Sequence, residues 1–78
     1  MKQQNEVLRV GTVNIENELY TIYSNDHVDQ VFYHVVRVPD GEEVCVLAIN
    51  DEGAWEAAYE VDEQFLQTVG REIERLSS

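Results

Sequence analysis

From residue 6 to residue 61 the chain reads as short runs rich in β-branched and aromatic residues, punctuated by Gly, Pro, Asn and Asp. After residue 61 the apolar spacing lengthens to that of a helix. The first run, EVLRVGTVNI (6–15), predicts a strand interrupted at Gly11, where a glycine marks a bulge or a close backbone approach. ENE (16–18) is a polar turn and LYTIYS (19–24) a second strand. NDHVD (25–29) predicts a loop, because Asn and Asp bond their own backbone and tolerate turn dihedrals. QVFYHVVRV (30–38) is the strongest strand pattern, and it stops at Pro39, which has no N–H for a ladder. PDGE (39–42) is a turn with Gly41 at positive φ, and EVCVLAIN (43–50) returns as a fourth strand. DEG (51–53) predicts a second hairpin loop with Gly53 left-handed.

AWEAAYEV (54–61) fits two periods. As a strand it places Trp55, Ala57, Tyr59 and Val61 on one face and Glu56, Ala58 and Glu60 on the other. As a helix it groups Trp55, Ala58 and Tyr59. The segment that follows favours the strand. Phe65, Leu66, Val69, Ile73 and Leu76 form one helical stripe over 62–76, with Asp62 as N-cap, Val61 and Leu66 placed for a hydrophobic staple, and Arg75 in the last turn. A helix that begins at Asp62 is not already running at 54. Trp55 is then a core residue despite its acidic neighbours, and Gly70, mid-helix, marks close approach of helix to sheet. The expected fold is α+β: an antiparallel β-meander of four or five strands with one C-terminal α-helix packed on the sheet. It forms a single domain over 1–78, with 1–5 and 77–78 as frayed ends.

Two strands are apolar on both sides. In 30–38, Val31, Tyr33 and Val35 oppose Phe32, His34, Val36 and Val38; in 43–50, Val44, Val46 and Ala48 oppose Cys45, Leu47 and Ile49. One helix shields one face. The second face needs a strongly curled sheet or a second chain, and a homodimer is the expectation. A short chain with a thin core points the same way.

Charge narrows the choice of partner. The 16 acids and 5 bases give −11, and the stretch from Glu16 to Glu63 holds 13 acids against Arg37 alone. Direct nucleic-acid binding needs a basic footprint and anionic membranes repel such a chain, so neither is expected. A basic protein is the partner the field allows. The acids at the two hairpin tips, Asp40, Glu42, Glu43, Asp51 and Glu52, are the candidate partner-binding residues. Mimicry of nucleic acid toward a DNA- or RNA-binding protein is a sharper form of this reading. A structural homo-oligomer or accessory subunit is the alternative, and solubility or adaptation to high salt would explain the acids with no partner at all.

Catalytic chemistry is thinly represented. There is no phosphate-binding glycine loop, G-x-S-x-G, H-E-x-x-H or C-x-x-C. Cys45 lies mid-strand in an apolar run, where a cysteine behaves as a small hydrophobe. Asp26, His27 and Asp29 supply three candidate ligands within four residues but no closed metal site, and His34 reads as a core or interface histidine. The carboxylate pairs Glu42–Glu43 and Asp51–Glu52 sit on loop tips that offer no pocket to shift a pKa. No enzyme activity, cofactor or metal is expected, short of residues that converge only in three dimensions. A single cysteine, and no leader or membrane-length apolar run, lead to an expectation of a cytoplasmic protein.

Overall fold

The computed structural model describes residues 7–27 and 30–77. Five strands, β1 (Val7–Ile15), β2 (Glu18–His27), β3 (Gln30–Arg37), β4 (Glu43–Ile49) and β5 (Trp55–Ala57), precede one helix, α1 (Glu63–Ser77). The strands form one antiparallel sheet in chain order, β1-β2-β3-β4-β5, and α1 packs on one face. This is the α+β meander with a C-terminal helix that the periodicity predicts.

The turns follow their residue chemistry. Glu16 and Asn17 both have positive φ, at 53° and 70°, the signature of a two-residue type I′ hairpin, and Asn14 Oδ1 accepts the Asn17 N–H at 3.1 Å. Gly41 and Gly53 sit at φ 71° and 83°, as the turn motifs require. Asp62 caps α1, its Oδ2 accepting the Phe65 N–H at 3.0 Å.

Several boundaries differ from expectation. Residues 25–27 are strand rather than loop: Asn25, Asp26 and His27 pair with Phe32, Val31 and Gln30, so ladder bonds to β3 override their turn preference. β3 ends at Arg37, although the Val38 N–H still reaches Leu19 O at 2.9 Å. The fifth strand covers Trp55–Ala57, not 54–61. Its last ladder contact is the Ala58 N–H to Val46 O at 2.7 Å, after which the chain leaves the sheet to reach the cap at Asp62. Alternation therefore stops, and Tyr59 is 47% exposed instead of facing inward. The helix extends through Ser77, where fraying was expected. The expected frayed segment 1–5, the strand start at Glu6, and Ser78 lie outside the described residues.

The core lies between sheet and helix. Val13, Ile22, Val35, Cys45 and Leu47 from the sheet meet Leu66, Val69 and Ile73 from α1. Each such aliphatic side chain contributes about 1.5–3 kcal/mol of gross burial free energy. Two bulges tune this face. Val10 is the extra residue between Arg9 and Gly11, and Val44 the extra residue where β3–β4 register shifts; both pack against the core. Val44 thus leaves the Val46–Ala48 face on which simple alternation had placed it. The helix backbone comes nearest to the two edge strands, β1 and β5, so the sheet curls toward it.

The other face carries no element among the described residues. Tyr23, Phe32, His34, Val36 and Val46 are half-buried there, and Ala48 is buried. Because the sheet curls toward the helix, this face is convex, and no second element covers it among the described residues.

Candidate functional site

Meander order brings three acidic features to one end of the sheet. The β1–β2 turn, the β3–β4 hairpin and the start of α1 share it, because Ile15 pairs with Glu18 and Tyr20 with Arg37. A groove of about 500 Å³ opens there between sheet and helix. Ile15, Tyr20, Val44, Val61 and Phe65 supply its apolar lining, and Glu16, Asp62 and Arg37 its charged positions. Tyr20 and Phe65 meet edge to face, ring centroids 5.6 Å apart at 67°.

Arg37 organises the hairpin beside this groove. Its Nε and Nη2 donate to Asp40 Oδ1 and Oδ2 at 3.2 and 2.7 Å, and Nη2 also donates to Glu42 Oε1 at 3.0 Å. The guanidinium holds the Asp40 carboxyl below its ordinary range, helped by the Glu42 backbone N–H. Asp40 in turn raises the Arg37 pKa, and Glu42 and Glu18 add to the negative potential on it. One cation is therefore surrounded by Glu18, Asp40 and Glu42, with Glu16 and Asp62 along the groove.

The five acids expected to bind a partner fall in three places. Asp40 and Glu42 stand at this end, bonded to Arg37. Glu43 opens β4 and turns to the outward face, where its Oε2 lies 2.6 Å from His34 Nδ1. Asp51 and Glu52 are exposed on the β4–β5 loop at the opposite end of β4, a strand length of roughly 23 Å away. Asn50 shapes that loop, its Oδ1 accepting the Glu52 and Ala54 N–H groups at 2.9 and 3.0 Å. Glu16, Glu18 and Asp62 were not singled out as partner-binding residues. Asp62 was legible only as a cap, and the convergence of all three is a property of topology.

Reactive groups are few in this geometry. Cys45 is fully buried, and burial, with Glu43 nearby, pushes its thiol up to about 11, so it stays protonated at neutral pH. Among the described residues, no group of three or more His, Cys, Asp or Glu could hold a metal ion. Asp29, the third member of the expected ligand cluster, lies outside the described residues. No described helix is long and apolar enough to cross a membrane. The chain matches no protein-family model, no curated protein and no solved structure.

Proposed function

We propose that this chain is a small protein–protein interaction module whose acidic end receives a basic segment of another protein. One observation carries the reading: an apolar groove lined by Ile15, Tyr20, Val44, Val61 and Phe65 lies beside Glu16, Glu18, Asp40, Glu42 and Asp62, with Arg37 as the cation among them. A lysine or arginine stem can lie on the aromatic lining while its head meets carboxylates, the amphipathic division such side chains favour. Charge of this kind chiefly steers encounter and sets specificity. A nucleic-acid-binding protein, being basic, belongs to the class of partner this groove suits.

The test is titration with a basic amphipathic peptide at several salt concentrations. The reading expects binding that weakens with salt and is largely lost in the E16Q/E18Q/D62N variant, in which Asn keeps the helix cap. The D51N/E52Q variant at the opposite end should bind as the unsubstituted protein does. Equal losses in both variants would reduce the effect to overall charge and overturn the groove assignment.

A further inference from the structure

We propose that the outward face of the sheet is a self-association surface on which a second copy packs, strands roughly aligned, with Arg9 of each chain facing Glu56 of the other. The face differs in charge from the rest of the molecule. By register, its strand positions include Val7, Thr12, Leu19, Tyr23, Phe32, Val36, Val46 and Ala48, and its only formal charges among the described residues are Arg9, Glu43 and Glu56. Glu43 is bonded to His34. This surface sums to −1 on a chain of −11, so two copies meet here with the least repulsion.

The remaining two charges are self-complementary. Arg9 lies on the β1 edge, hydrogen-bonded through Nη2 to Thr12 Oγ1 at 2.9 Å, and has no carboxylate partner among the described residues. Glu56 lies on the opposite edge, in β5, with no cation partner among them. A two-fold axis parallel to the strands sets β1 of one copy over β5 of the other. Arg9 shares a cross-strand row with Tyr23, His34 and Val46, and Glu56 the adjacent row with Ala48, Phe32 and Asn25. Rows on one face are about 6.6 Å apart, within the reach of an arginine. A two-fold axis across the strands would instead set β1 over β1 and keep Arg9 a sheet's width from Glu56.

Size sets the strength. Five strands about 4.8 Å apart, each about seven residues long, span at most about 550 Å² per copy. The outward bow of the curled sheet keeps the contact below that limit. A total at or under about 1,100 Å² sits at the low end of specific interfaces, so the dimer is reversible and concentration-dependent, not obligate.

Sedimentation equilibrium from low micromolar to about 1 mM, at moderate salt, tests this. The unsubstituted chain should shift toward twice its monomer mass, and Val46→Lys, in the middle of the face, should stay monomeric with Trp55 emission and circular dichroism unchanged. Charge reversal separates the pairing from general repulsion. Glu56→Arg lowers the negative charge of each copy, so mere relief of repulsion would tighten the dimer. The proposed pairing requires it to loosen, by about 2–10-fold for two symmetric exposed pairs, and R9E/E56R to restore the original affinity. A chain that is monomeric at about 1 mM, a dimer unaffected by Val46→Lys, or an E56R dimer tighter than the unsubstituted one overturns the proposal.

Discussion

The indole of Trp55 lies against the backbone of Gly70: a Cβ added at position 70 would stand 2.4 Å from Trp55 Cδ1 and 2.5 Å from Nε1. The ring is half-buried, meets Tyr33 edge to face at 5.6 Å and 71°, and donates through Nε1 to Glu74 Oε2 at 3.3 Å. Helix and edge strand are thus joined through a glycine on one side and a tryptophan on the other. Ala in place of Gly gains about 1 kcal/mol of helix propensity, but overpacking costs about 1–3 kcal/mol, so Gly70→Ala should be a net loss of about 1 kcal/mol. In a Trp55→Ala background the obstruction is gone, and the same substitution should stabilise by about 1 kcal/mol. Denaturant melts of the four proteins check this sign change; stabilisation by Gly70→Ala alone would contradict it.

Trp55→Ala by itself should cost about 2–3 kcal/mol, below the 3–5 kcal/mol typical of fully buried large aromatics. Part of the ring remains open to solvent, so its native emission should be intermediate and partly open to quenching by iodide. Complete protection, or quenching as fast as in the unfolded chain, would contradict the half-buried placement.

Loss of the cap at Asp62 leaves the Phe65 N–H without its carboxylate acceptor. Asp62→Ala should lower stability by about 1 kcal/mol, and Asp62→Asn by much less, since Asn caps as well as Asp. Thermal denaturation gives the comparison directly. An Asn variant as unstable as the Ala variant would mean that charge, not the hydrogen bond, matters at this position.

Arg37 imposes a pH dependence with a definite sign. Asp40 titrates lower in the folded chain than the unperturbed value of about 3.9. Its contribution to stability is therefore present above that value and is lost as pH falls through the lowered folded pKa. An NMR titration of the Asp40 carboxyl carbon should show the depressed midpoint. Arg37→Gln should return it toward the ordinary range; an unchanged midpoint would assign the shift to the Glu42 backbone N–H instead.

Cys45 should react slowly with a thiol reagent while the protein is folded. With its pKa pushed up to about 11, its thiolate fraction at pH 8 is about two orders of magnitude below that of a free cysteine. Burial slows the reaction further, and denaturant should restore the free rate. The raised folded pKa also has a stability consequence: the contribution is full below the unfolded value of about 8.5 and is lost as pH rises through about 11. Rapid native labelling at pH 8 would show that β4 opens locally.

The amino-acid sequence carries the features that depend on neighbouring residues. Pro39 and Gly41 turn one hairpin, Gly53 another, Asp62 starts the helix, and the Leu66–Val69–Ile73 stripe orients it, because each rests on local dihedrals, one cap or one period. It also pointed to Gly70 as a place of close approach, since a mid-helix glycine needs such a reason; the tertiary structure supplied the Trp55 ring as the neighbour. What depends on register was decided only in three dimensions. Ladder partners on β3 drew Asn25, Asp26 and His27 out of the loop their composition suggested. The bulge at Val44 moved one side chain to the core, and the path to Asp62 cut β5 to three residues. The acids show the same division. Their number is legible in the chain, but an antiparallel meander sends successive turns to opposite ends. It therefore separates Asp40 and Glu42 from Asp51 and Glu52, and gathers Glu16, Glu18 and Asp62 beside the first pair. Local chemistry shapes each turn, while the spatial order of the strands chooses which turns become neighbours.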